Sequence, residues 1–144
     1  MTAAHDEANR AAALASALLS QAESLMRTLG IDIVEVSLER VVATMPVTAR
    51  HHQPHGIMHG GASVALAETV ASIGATAALK HEGQRAVGLE INANHLRAVT
   101  SGTVTATATP IHLGRSTHVW AVEIRDEEGR LVCVSRCTLA VLDG

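Results

Sequence analysis

Between His59 and Lys80 the chain carries one charged residue, Glu68, in a run otherwise made of apolar, small and hydroxylated side chains. An unpaired carboxylate in such surroundings costs on the order of several kcal/mol unless it is protonated, hydrogen-bonded or paired, so its presence there suggests a reactive group. It could serve as a nucleophile or a general base. Ser72 lies one helical turn further on the same face, where its hydroxyl could orient a water beside the acid. The run opens with His59-Gly60-Gly61. Two glycines let a ligand approach the backbone, and the first N–H groups of a helix point outward with partial positive charge, the arrangement of an oxyanion hole. Gln53, six residues before His59, offers an amide to hold a carbonyl or a leaving group. Each feature also has a plainer reading: an ion pair to an arginine of a sheet or a place at a subunit seam for Glu68, small-residue packing for Ser72, and a sharp loop-to-helix turn for the glycines.

Spacing adds a constraint. Gly60 and Glu68 lie eight residues apart, which on one helix separates them by roughly 12 Å. One carbonyl cannot touch both. If both act on the same carbon, the acid must come from an antiparallel helix of a second subunit, and twofold symmetry then gives two composite sites per dimer.

Two other groupings bear on ligands. His51, His55 and His59 recur every four residues and could bind zinc, but Pro54 and Gly56 disfavour a helix there and the spacing loses its meaning, so no metal site is assigned. A solvated polar loop accounts for His51 and His52 without any role. Arg97, His112, Arg115 and Arg136 fall where strands end or turn and could gather into a patch for phosphates, or stand singly as surface charges.

The elements that must position these residues follow from hydrophobic period. Leu14, Leu18, Leu25 and Leu29 form one stripe of an amphipathic helix over about 6–29, an N-terminal arm closed by Gly30. From Ile31 to Val47 the period becomes two, giving two antiparallel strands with a turn near Glu39-Arg40. A polar loop over 48–58 leads into a helix over about 61–80 that reads as buried on every side. Four more strands follow, at about 86–99, 102–113, 117–126 and 130–142, with Asp126-Glu127-Glu128-Gly129 as a hairpin turn. This is an α+β domain over 30–144: an antiparallel sheet wrapped around one long helix, with sheet edges that invite a partner subunit.

The 144 residues, 47% of them apolar, suit one domain with a substantial core. Trp120 is the one aromatic of the Phe/Trp/Tyr class and the formal charge is −3, which argues against a nucleic-acid partner. No stretch reads as a membrane span. The apolar run at 11–19 follows Asp6 and Glu7 and continues in helical spacing, unlike a secretion signal. Cys133 and Cys137 share one face of a strand too far apart to bond to each other, as two buried thiols in a reducing cytoplasm would.

The string QPHGIMHGGASVALAETVAS, followed by GLEINANHLRAV, IHLGRSTHVW and GRLVCVSRCTLAVL, resembles the hotdog-fold acyl-CoA thioesterases. The likeness is to the branch that contains the Arthrobacter-type 4-hydroxybenzoyl-CoA thioesterase and 1,4-dihydroxy-2-naphthoyl-CoA hydrolase. It covers about residues 30–142 and leaves the arm without inference. The resemblance implies that Glu68 attacks the thioester carbonyl or activates water, and that the Gly60 N–H holds the thioester oxygen, with Gly61 beside it. It further implies that Gln53 and His59 orient substrate and leaving group and that Ser72 positions water. Active sites are shared across a dimer, usually within a dimer of dimers, with no metal or redox cofactor. The implied substrate is an acyl-CoA, hydroxybenzoyl- or dihydroxynaphthoyl-CoA among the possibilities, with Arg97, Arg115 and Arg136, and more weakly His95 and His112, as candidates for its phosphates. Val64, Met58, Leu89 and Ile91 would line the acyl pocket. Three alternatives on the same fold are a non-catalytic acyl-CoA-binding module, a proofreading thioesterase acting on misacylated carrier protein, and a dehydratase.

Overall fold

A computed structural model describes Asp6, Asn9, Arg10, Ala13, Leu14, Ser16, Ala17, Ser20 and residues 23–144. After the helical residues of the arm comes a short helix α1 (Leu25–Leu29), then strands β1 (Asp32–Val36) and β2 (Val41–Val47), the long helix α2 (Gly60–Ala77), and strands β3 (Arg85–His95), β4 (Gly102–Leu113), β5 (Thr117–Arg125) and β6 (Leu131–Leu142). The strands form one antiparallel sheet in the order β1-β2-β4-β5-β6-β3, and α2 packs against all six. The expected sheet around one long helix is thus what the chain adopts.

The two-residue period explains the packing. Val41, Ala43, Met45 and Val47 of β2, and Val104, Ala106 and Ala108 of β4, are buried against the helix, while the threonines between them face away. On β5, Trp120 is fully buried, and its ring lies so close to Gly74 that a Cβ there would meet it at 2.6 Å. The sole large aromatic of the core therefore fits because the helix offers a bare backbone opposite it. Cys133 and Cys137 are buried and free on the inward face of β6, as expected.

Three expectations need correction. The arm is not one helix to Leu29: Ser24 is extended and its hydroxyl caps α1 by accepting from the Arg27 N–H, so the chain restarts there. Leu18 lies outside the described residues. Gly30 does close α1 in the left-handed conformation, at φ 66°. β3 ends at His95 rather than near Val99, because the next residues bend inward: Val99 is buried and its carbonyl accepts from the Met58 N–H at 2.7 Å. Finally, α2 is not buried on every side. The sheet covers one face, whereas Val64, Ala65, Glu68, Thr69 and Ser72 are half-buried and Gly61 and Thr76 are exposed. The open stripe went unread because its residues are mostly small or apolar.

Candidate functional site

The open stripe of α2 walls a cavity of about 580 Å³ whose other side is Leu14, Leu25 and Met26 of the arm. Glu68 and Ser72 both line it, together with Val64, Thr69 and Gly61. Glu68 makes no hydrogen bond or ion pair among the described residues, so the arginine partner that would have made it structural is not there. Its carboxylate lies against Gly88 of β3, where any Cβ would collide with it. The glycine is thus the residue that makes room for the acid at the sheet edge. The same charge reaches Cys137, whose thiol is pushed up to about 11 by burial first and then by Glu68 and Glu90. That thiol is protonated and inert near neutrality.

Gly60 faces elsewhere. It lines a second cavity, of about 310 Å³, with Gln53, Met58, Ser63, His95 and Arg97. His59 caps the helix: its Nδ1 accepts the Gly61 N–H at 2.7 Å. Of the two glycine amides only that of Gly60 remains without a partner among the described residues. Gly61 is therefore not a second donor for an anion, and His59, itself exposed, shapes the helix end. The His95 ring stands over the Gly60 Cα, where a Cβ would come within 2.8 Å of Nε2. Gln53 Oε1 accepts from the His55 N–H, which leaves the amide NH2 as the free end of that side chain.

The loop that carries Gln53 is pinned. His51 is 3% exposed; its Nδ1 accepts from the Thr48 N–H at 3.2 Å and its Nε2 donates to the Leu29 carbonyl at 2.8 Å. Both ring nitrogens are used, so His51 is neither solvated nor free for zinc. The His52 Nε2 reaches the Thr100 carbonyl at 2.8 Å, tying the loop to the connection before β4. These two histidines are struts, and a linear spacing rule has no way to separate struts from ligands.

The remaining sequence candidates do not converge in one chain. Arg97 and His95 join Gly60. Arg115 lies at the opposite end of the helix in a third cavity, and His112 packs beside it over Gly114. Arg136 is exposed, on the sheet face opposite Cys137, as alternation along β6 requires. Val64 lines the Glu68 cavity and Met58 the Gly60 cavity, while Leu89 is 62% exposed and Ile91 packs at the core margin. Sequence reading missed Leu14, Leu25 and Met26, whose helical stripe was the available signal, and the buried His118.

The geometry thus divides the chemistry. An acid and a hydroxyl share one cavity; an amide donor, a histidine, an arginine and a glutamine share another. No helix among the described residues is long and apolar enough to cross a membrane. The sequence model of the thioesterase superfamily matches residues 55–133. The chain is 51% identical over 117 residues to the 1,4-dihydroxy-2-naphthoyl-CoA hydrolase of Listeria monocytogenes, covering 81% of this chain and 94% of that protein. It is 45% identical over 119 residues to the proofreading thioesterase EntH of Cronobacter turicensis, covering 83% and 86% respectively. The crystal structure of thioesterase HI1161 from Haemophilus influenzae superposes with a TM-score of 0.81 at 53% identity, over 85% of each chain.

Proposed function

The chain belongs to the thioesterase superfamily, and we propose that it hydrolyses acyl-CoA thioesters at a site assembled from two protomers. The observation that carries the reading is the division of the chemistry between two cavities. Glu68 is unpartnered in one, the free Gly60 N–H is in the other, and about 12 Å of helix separates them. A second copy with its α2 antiparallel brings the Glu68 of one chain to the Gly60 of the other. The edge strand β3 supports such a partner: no strand among the described residues pairs with its outer edge, and Val87 and Leu89 are 39% and 62% exposed.

In the composite site the thioester oxygen accepts from the Gly60 N–H at the positive end of α2, and the Gln53 NH2 steadies the substrate. Glu68 of the facing protomer then acts in one of two ways. It takes a proton from a water that attacks the carbonyl carbon, or a carboxylate oxygen attacks directly. The direct attack forms a mixed anhydride, which water then opens. Either way the C–S bond breaks, the thiolate departs and takes up a proton from solvent, and the products are a carboxylic acid and coenzyme A. Ser72 lines the cavity beside Glu68, where its hydroxyl can hold that water. The relative that acts on 1,4-dihydroxy-2-naphthoyl-CoA supports a CoA substrate with a bulky acyl group, and the apolar Glu68 cavity supports such a group.

Single-turnover hydrolysis of benzoyl-CoA in labelled water tests the mechanism. Label in Glu68 identifies the anhydride route with water opening it at the glutamyl carbonyl; label only in benzoate means that water attacked the benzoyl carbon, and trapping of the acyl-enzyme with hydroxylamine then separates an anhydride from direct attack. Full turnover by Glu68→Gln refutes both.

A further inference from the structure

Gly88 lies on the inward side of β3, where it pairs with the fully buried Leu139 of β6 and where Ala86, Ile91 and Ala93 pack against the core. Glycine in a strand interior weakens the strand and marks either a bulge or a close approach. The register against β6 does shift between Gly88 and Glu90, with Leu89 as the additional residue. The bulge that demands glycine places it in the left-handed region, however, and Gly88 is not there: its φ is one that other residues adopt. A close approach is left as the reason.

What approaches is Glu68. Among the described residues, chain neighbours aside, a Cβ at Gly88 would meet that side chain alone: Oε1 would collide with it and Cδ would stand 3.5 Å away, whereas Oε2 lies beyond 4 Å. The carboxylate therefore stands on edge, with Oε1 down on the bare Cα and Oε2 turned away from the strand. No hydrogen bond or ion pair among the described residues holds Glu68, so the surface of the strand rather than a donor sets where the carboxylate rests. We propose that Gly88 is a positioning residue for the hydrolysis, a shelf that seats Oε1 of Glu68 and presents Oε2 to the water or the thioester carbon. This role rests on the reading of Glu68 as the acting acid and adds what aims it.

A methyl on that shelf must lift the carboxylate by roughly 1 Å to restore ordinary van der Waals separation, and a misplacement of that size costs about 10²-fold in rate. The fold need not give way. What moves is the free end of a flexible side chain, half-buried beside a cavity of about 580 Å³, and alanine suits a strand at least as well as glycine. Shortening the acid has the converse effect: Glu68→Asp draws the carboxylate back by one methylene, out of reach of a methyl at position 88.

Steady-state hydrolysis of benzoyl-CoA by the intact protein, Gly88→Ala, Glu68→Asp and the double variant tests this, with melting temperature and mass in solution measured for each. Gly88→Ala is expected to lower kcat by about 10²-fold while KM, melting and assembly stay near wild type. Glu68→Asp lowers kcat as well, but adding Gly88→Ala to it costs less than about threefold, because the methyl acts only through the longer acid. Undiminished kcat in Gly88→Ala overturns the proposal, and so does a full further loss in the Glu68→Asp background or a fall in melting that tracks the fall in kcat. Where Glu68→Asp turns over too slowly to compare, the split between kcat and KM in Gly88→Ala decides. Glu68→Gln keeps the two readings apart: its full turnover removes the role of the acid, whereas an inactive Glu68→Gln beside a fully active Gly88→Ala removes only the shelf.

Discussion

Mixing two dead variants decides whether the site crosses the subunit seam. Glu68→Gln removes the acid but leaves the carboxamide's size, and the cavity around it keeps its shape. Gly60→Pro removes one atom that matters, the amide hydrogen. Proline is well accepted at the first helical position, and the Gly60 N–H bonds to nothing among the described residues, so the fold loses no hydrogen bond. The new ring will push against His95, whose exposed side chain can swing away; Gly60→Ala makes the same push while keeping the N–H, and so serves as the control. Loss of one oxyanion donor lowers kcat by about 10²–10³, and loss of the acid by at least a similar factor. In a dimer of one Glu68→Gln chain and one Gly60→Pro chain, one site has both defects and the other has neither. Random reassociation of an equal mixture makes about half the dimers mixed, each with one sound site, and so restores about a quarter of wild-type activity. The assay is thiol release from benzoyl-CoA after the variants are unfolded together and refolded. A mixture no more active than the average of its parts would refute the shared site, and would return Glu68 and Gly60 to separate roles in each chain.

The other expectations concern stability and reactivity. Gly74→Ala places a methyl 2.6 Å from the Trp120 ring, backbone against a fully buried aromatic; a loss of about 1–3 kcal/mol in urea unfolding is expected, and no loss would mean the ring has room to move. His51→Ala strands the Leu29 carbonyl and the Thr48 amide, and a loss of about 2–4 kcal/mol should accompany near-normal kcat in the protein that remains folded; a drop in kcat without a stability change would give His51 a chemical role. Cys137, with its pKa raised to about 11, should resist alkylation at pH 8 in the native state and react once unfolded. The unfolded thiol titrates near its ordinary pKa of about 8.5, so between there and about 11 the unfolded state releases a proton that the folded state keeps. Stability therefore falls as pH rises through that window, and a Cys137→Ser variant should show a flatter alkaline limb in a pH series of melts.

Much of the fold could be read because its signals are local. Alternation in β2 and β4, the glycine at position 30 and the long small-residue run of α2 each appear in a few consecutive residues, and each appears in the structure. What escaped depends on pairs distant in sequence. The break at Ser24 is set by a side-chain cap that competes with helix continuation. The open face of α2 is set by how far the sheet reaches around it. The role of His51 is set by a carbonyl twenty-two residues earlier. Among the candidate residues, Glu68 stood out by contrast with its neighbours, and so did Gly60, whereas nothing in the spacing of Arg97, Arg115 and Arg136 tells which face of which strand carries them.

The division of the site also resolves a tension in Glu68 itself. A carboxylate in an apolar cavity, with no partner among the described residues of its own chain, is an unfavourable element for a monomer to carry. In the composite arrangement proposed above it would face the positive end of the neighbouring α2, which offers the Gly60 N–H, unpartnered among the described residues, and a fixed dipole. In that arrangement the helix end that would receive the developing oxyanion would also steady the acid beforehand, and substrate entry would put a neutral carbonyl oxygen on the same N–H, which gains its negative charge only as the carbon is attacked. The proposed site needs a second chain, which would tie the cost of this half-buried charge to assembly.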